Sequence, residues 1–172
     1  VADRRRHHMR AFVEKMPLNS IRLPLISRLF PEAKILYALR DPRDVVLSCI
    51  RQKFELTQAS YEFLDLEDCA CFYSEVMHLV ERYREVLPLD MIDCRYEDVV
   101  SNYADTLRHL CAFIGIDWRD SMLHFFDSAG FVNPLSASAQ QVRTGLYHSS
   151  IGQWRHYREH LAPAASILSP WI

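Results

Sequence analysis

Glycine is scarce in this chain. Four glycines occur in 172 residues, and all of them (Gly115, Gly130, Gly145, Gly152) fall in the last third. Residues 1–114 therefore hold no glycine-rich phosphate loop, which excludes a complete P-loop kinase or ATPase within them. Long apolar runs are also missing. No stretch of about eighteen apolar residues exists, and the opening VADRRRHHMR lacks the apolar core of a secretory signal. No membrane partner is expected, and a cytoplasmic location is. Charge of either sign is not in excess: 20 Lys and Arg face 22 Asp and Glu, for a formal net charge of -2. That balance argues against a nucleic-acid partner, and the local cluster Arg4, Arg5, Arg6 and Arg10 reads as a solvated terminus. The five cysteines are odd in number, scattered and set among apolar neighbours, so a reducing compartment is expected rather than a disulfide framework. Cys69-Ala-Cys71 with His78 lacks the two-residue spacing of metal ligands, and no metal is expected.

With 49% hydrophobic and 24% charged residues, the composition suits a single globular domain over residues 1–172. The chain begins at valine, and a piece of a longer protein is expected. Ala11 to Val13 is a short apolar piece ending at Glu14 and Lys15, placed here as a strand. Ser20 is a candidate cap for a helix running to Phe30, closed by Pro31. Lys34 to Leu39, KILYAL, is almost continuously apolar, as a strand covered on both faces is. Asp41 supplies an N-cap oxygen and Pro42 a preset first dihedral for a helix running to about Phe54. Leu66 to Leu87 repeats apolar residues at three and four and predicts a long amphipathic helix. Met91 to Arg95 is a second strand. Tyr103 to Ile114 is helical with Gly115 as its stop, and Trp118 to Phe126 is helical too.

Strand, helix, helix, strand is the order of a parallel sheet with crossover connections, so the fold class is α/β. In such sheets ligands sit beyond the carboxyl ends of the strands. The three predicted strands end on Lys15, Arg40 and Tyr96, polar or cationic side chains suited to an anionic, aromatic ligand. Arg40 offers a planar fork of donors, the helix after it points free amides the same way, and Ser48 adds a hydroxyl from its second turn. The same residues allow a plainer arrangement, with Arg40 and Arg43 paired to Asp41 and Asp44 and Ser48 in solvent. Both stay open at this point. Likewise QVRTGLYHSSIGQW, Gln141 to Trp154, is either a segment folded over a nucleotide or a surface loop before the final helix. Among eight histidines none forms a triad legible from sequence, and His148 alone is placed near the nucleotide segment.

KMPLN, PEAKILYALRDPRDVVLS, RYEDVV and QVRTGLYHSSIGQWRHY, in this order, resemble the C-terminal two-thirds of sulfotransferases, especially bacterial ones related to tyrosylprotein sulfotransferases. The likeness covers Lys15 to about Leu161. It implies a P-loop NTPase-like sulfotransferase fold with a parallel sheet flanked by helices. It also implies 3′-phosphoadenosine 5′-phosphosulfate as donor and adenosine 3′,5′-bisphosphate as its product. Arg40 and Ser48 would hold the 3′-phosphate, Tyr96 the adenine, and Ser138, Gln141, Val142 and Arg143 would belong to the loop over the nucleotide. Lys15 would match the lysine that supports sulfuryl transfer, stabilising charge on the leaving phosphate.

Several family features have no counterpart here. The Arg-Ser-Gly-Thr-Thr-type loop that cradles the 5′-phosphosulfate does not occur, and no residue matches the catalytic base of the family's earlier region. Gln153 and Gln52 stand where relatives often carry a cation. The expected activity is sulfuryl transfer to a hydroxyl of a protein, carbohydrate or small molecule. The alternative is a catalytically incomplete nucleotide-binding or scaffold module of the same fold. A sheet edge left open would favour a homo-oligomer.

Overall fold

The largely apolar run Lys34–Leu39 (β1) and the more polar Asp90–Arg95 (β2) pair in parallel and in step, from Lys34 opposite Asp90 to Leu39 opposite Arg95. The computed structural model describes residues 12–52, 54, 57–124 and 148–172. Among these the sheet is two-stranded. Parallel strands cannot be joined by a hairpin, and the crossover contains the helices Pro42–Arg51 (the second of the chain), Gln58–Tyr61 and Leu66–Val86. With Leu23–Leu29 as α1, these are α2, α3 and α4. Beyond β2 lie α5 (Tyr96–Ser101) and α6 (Tyr103–Ile114).

Where the helix signals are local, the elements start and stop as the sequence predicts. Asp41 caps α2, its side chain accepting from the Arg43 amide at 2.9 Å, with Pro42 at the first helical position. Gly115 ends α6 in the left-handed region at φ 83°, its amide bonded to the Cys111 carbonyl. Asp65 caps α4 by accepting from the Glu67 and Asp68 amides at 2.8 and 3.2 Å.

Other boundaries differ from expectation. Ser20 caps nothing: a 3₁₀ stretch, Pro17–Arg22, leads directly into α1, and the Ser20 hydroxyl bonds back to the Pro17 carbonyl. Helix α2 stops at Arg51 rather than Phe54, because Gln52 is extended (ψ 132°) and returns its amide to the Ser48 and Cys49 carbonyls. Of the helix expected over Trp118 to Phe126, a 3₁₀ turn over residues 120–124 is present, and residues 125 and 126 lie outside the described residues. The strand placed at Ala11 to Val13 is not seen in its described part. Phe12 and Val13 are 62% and 86% exposed in an irregular run, since no neighbouring strand among the described residues offers them a ladder.

The sheet also differs in its cover. On one face α4 packs closely: the Tyr37 hydroxyl donates to Met77 Sδ at 3.1 Å, and Arg84 lies over the Tyr37 ring while pairing with Asp93. On the other face Lys34, Leu36 and Ala38 are exposed, Leu36 by 41%. Burial along β1 therefore alternates, although its sequence is almost continuously apolar. Helix α6 reaches that face at Lys34, which lies over the Phe113 ring.

The core lies between α2, α4 and the C-terminal segment. Val46, Cys69, Ala70, Ala164 and Leu168 form one buried cluster. In place of a single final helix the chain ends in 3₁₀ turns around a short helix, Ala165–Leu168. This packing fixes the side of α2 on which the candidate site is built.

Candidate nucleotide site

Because β1 and β2 run in step, their carboxyl ends place Arg40 and Tyr96 side by side. The Arg40 guanidinium lies 5.1 Å from the centre of the Tyr96 ring. One residue further along each chain, the Asp41 amide donates to Glu97 Oε1 at 2.9 Å. The two strand ends are thus joined by a cation–ring contact and a hydrogen bond from a backbone amide to a side-chain carboxylate.

The amino end of α2 does not offer the free amides expected of it. Pro42 has no N–H, the Asp41 amide is taken by Glu97, and the Arg43 amide is taken by Asp41. Arg43 also forks onto Asp41, Nε to Oδ1 at 2.9 Å and Nη2 to Oδ2 at 2.6 Å. Burial of Asp41 raises its pKa, but the Arg43 side-chain and amide hydrogen bonds outweigh this and hold the carboxyl below its ordinary range. Two carboxylates therefore already answer the positive end of this helix. An anion here must be held by side chains, Arg40 foremost.

A third carboxylate organises the opposite side of Arg40. Asp44, in the first turn of α2, is 1% exposed, accepts from the Gly152 amide at 2.6 Å and the Trp154 amide at 2.9 Å, and lies 3.9 Å from Arg40 Nη2. The same Nη2 donates to the Ser150 carbonyl. Gly152 sits at φ 72°, which permits the turn between these two amides. Trp154 then lies under Arg43, 3.7 Å from ring centre to guanidinium, and Arg51 donates to Gln153 Oε1 at 3.1 Å. The described part of the polar segment, residues 148–154, is thereby bound to α2 beside Arg40.

The plainer arrangement is present in full: Arg43 pairs with Asp41, Arg40 stands 3.9 Å from Asp44 and Ser48 is exposed, and these same pairs frame the strand ends. Four buried polar side-chain atoms have no hydrogen-bond partner among the described residues, and three of them are Arg40 Nε, Glu97 Oε2 and Trp154 Nε1. Native interiors rarely leave such atoms unsatisfied, so their clustering fits a site completed by a ligand or by water.

The other sequence-predicted residues are distributed as follows. Ser48 is exposed one turn beyond Asp44 on α2, eight residues after Arg40 and on the same side of the helix. Lys15 is exposed on the irregular run 12–16, and no hydrogen bond or ion pair joins it to Arg40 or Tyr96 among the described residues. Ser138, Gln141, Val142 and Arg143 lie outside the described residues. His148 opens the 3₁₀ turn His148–Ser150. Sequence reasoning missed Glu97, held Gly152 and Trp154 only as members of the Gln141–Trp154 segment, and took Asp44 only as a possible partner of a neighbouring arginine. A spacing of four from Arg40 was the available signal for Asp44, but its amide partners are more than a hundred residues distant.

Comparison with known proteins places the sequence in a family. The Sulfotransferase family profile matches residues 1–120. An uncharacterized protein of Aquifex aeolicus is 29% identical over 157 residues, covering 91% of this chain and 20% of that protein. Protein-tyrosine sulfotransferase 2 of Gallus gallus is 26% identical over 137 residues, 75% of this chain and 36% of its own length. An omega-hydroxy-beta-dihydromenaquinone-9 sulfotransferase of Mycobacterium bovis is 28% identical over 109 residues, 59% of this chain and 28% of its own length. The chain spans from 20% to 54% of the length of these and other curated relatives. The profile over residues 1–120, more than half of the chain, identifies it as a member of the sulfotransferase family.

Proposed function

We propose that this chain is the 3′-phosphate side of a sulfotransferase donor site, built to bind 3′-phosphoadenosine 5′-phosphosulfate and its product adenosine 3′,5′-bisphosphate. The carrying observation is Arg40 at the end of β1, against the Tyr96 ring, with a buried Nε that no described residue satisfies. A guanidinium with open donor capacity suits a phosphate, and an adjacent phenol suits a purine face. Ser48, one helical turn past Asp44, adds a hydroxyl to the same phosphate. Ser138, Gln141, Val142 and Arg143 are proposed as contacts over the nucleotide, leading into the stretch that Asp44 holds.

The donor supplies an activated sulfuryl group. Its S–O bond to the phosphate breaks as an S–O bond to the acceptor oxygen forms, and the acceptor proton passes to a base outside the residues assigned here. Lys15 is proposed to place its ammonium at the bridging oxygen, where charge collects on the leaving phosphate. The acceptor is a hydroxyl compound. The names of the protein-tyrosine sulfotransferases among the relatives support a protein tyrosine. We read residues 1–172 as one domain acting in the cytoplasm.

A second reading is a nucleotide-binding module without activity of its own. It rests on the site's own residues, Arg40, Tyr96 and Asp44, which suit a bound nucleotide and include no assigned base for an acceptor hydroxyl.

Calorimetric titration of adenosine 3′,5′-bisphosphate against adenosine 5′-monophosphate tests the site. A charge-assisted contact to the 3′-phosphate gives a preference of about 1.5 to 3 kcal/mol, lost in Arg40→Ala. Equal binding of the two nucleotides by folded wild-type protein would overturn the donor-site assignment.

A further inference from the structure

Asp44 is the one charged side chain fully buried among the described residues. A buried carboxylate is expensive unless every lone pair facing the interior is used. Here each oxygen has its own backbone donor, Oδ2 taking the Gly152 amide and Oδ1 the Trp154 amide, while Arg40 Nη2 stands 3.9 Å from Oδ2. That Nη2 is in turn committed to the Ser150 carbonyl. Three alternate residues of one short stretch, 150, 152 and 154, are therefore fastened to α2 and to Arg40 around a single carboxylate.

We propose, resting on the donor-site reading above, that Asp44 is a positioning residue for the 3′-phosphate. It joins the Arg40 guanidinium and the Ser150–Trp154 backbone into one rigid unit, and so sets the direction in which Arg40 presents its remaining donors. The chemistry favours this role over simple charge neutralisation. A neutraliser needs proximity alone, whereas this carboxylate is aligned with two amides that bear no net charge. Asp44 would thereby act on the site without touching the ligand.

The two roles predict opposite signs in Asp44→Asn. Asparagine removes the charge and can accept from only one of the two amides, because its Nδ2 is itself a donor. If Asp44 merely neutralised Arg40, the variant would bind both adenosine 3′,5′-bisphosphate and adenosine 5′-monophosphate more tightly, with their ratio kept or raised. If Asp44 positions Arg40, the ratio falls by about tenfold.

Gly152→Ala makes the second test without altering any charge. An alanine there must hold φ near 72°, a conformation that strains an L side chain even when the Arg155 guanidinium swings aside, so the turn is driven to shift while Asp44 and Arg40 remain intact. The positioning role requires the same fall in the ratio.

A wild-type readout covers the case in which either variant fails to fold. Amide hydrogen exchange at Gly152 and Trp154 should slow on binding adenosine 3′,5′-bisphosphate, and slow less with adenosine 5′-monophosphate. A wild-type preference that survives in folded Asp44→Asn, or exchange at both amides that is indifferent to the 3′-phosphate, overturns the assignment of Asp44 and leaves the donor site standing. Absence of any preference in the wild type overturns the donor site, and the role of Asp44 with it.

Discussion

Arg40 and Tyr96, each the first residue after a parallel strand, meet with the guanidinium 5.1 Å from the phenol ring centre. The in-step register of β1 and β2 produces this contact: slipping one strand by a single residue would turn one of the two side chains to the opposite face. Tyr96 therefore lies against Arg40, and on the proposed donor-site reading it also offers a flat surface for a base. Tyr96→Ala should weaken binding of adenine nucleotides with and without a 3′-phosphate by about 1 to 3 kcal/mol, whereas Tyr96→Phe, which keeps the ring, should lose much less. Calorimetry on both variants with both nucleotides checks this. An equal loss in the phenylalanine variant would show that the ring is not what matters.

Asp41 gives the start of α2 a pH-dependent contribution. Burial opposes its ionisation, but the bonds from Arg43 prevail and its folded-state pKa lies below that of the unfolded chain. The sign follows from linkage: the contribution is present above the ordinary carboxylate pKa, and is lost as pH falls through the lower folded value. Asp41→Asn keeps a competent cap but loses the charged Arg43 fork, and should be less stable than wild type by about 0.2 to 1 kcal/mol at neutral pH. In acid the difference between the two should shrink. Urea denaturation at neutral pH and at several acid values would show a constant gap if the carboxylate charge were irrelevant.

Much of this architecture was legible because its punctuation is local. Strand β1 ends where Arg40 interrupts KILYAL, α2 begins at Asp41-Pro42, and α6 ends at Gly115. Each boundary is set by residues within one turn of it. Contacts made across the chain were not legible. Asp44 bonds Gly152 across a separation of 108 residues, and no pattern near Asp44 announces that partner. Cover was misread for the same reason. The apolar run of β1 suggested two buried faces, but whether Leu36 is covered depends on elements far along the chain, and among the described residues it stays 41% exposed. The expectation of free amides at α2 failed because Glu97, which takes the Asp41 amide, arrives from the end of the other strand.

Gly115 isolates the cost of a left-handed backbone. It ends α6 at φ 83°, and a Cβ placed there meets no atom within 4 Å, so substitution brings strain without a clash. Gly115→Ala should destabilise the fold by about 1 to 2 kcal/mol. Gly115→Asn should cost less, since asparagine tolerates this region. Thermal unfolding of the two variants orders them. Equal melting temperatures for glycine and alanine would mean that the end of α6 adjusts instead of holding its conformation.

Leu168 tests whether the C-terminal segment belongs to the machinery around α2. Its side chain is fully buried, in one cluster with Val46 of α2 and with Cys69 and Ala70 of α4. Two residues before Val46 on α2 lies Asp44, so the packing that seats Leu168 also seats the helix carrying the carboxylate clamp. Leu168→Ala removes three carbons from a site that cannot fully collapse, and should cost about 2 to 5 kcal/mol in chemical denaturation. Because the cavity lies behind α2 and not beside Arg40, the folded fraction at low temperature should keep its preference for adenosine 3′,5′-bisphosphate. If that preference vanished while the protein remained folded, the position of α2 would depend on Leu168, and the core and the phosphate side of the site would have to be treated as one cooperative unit.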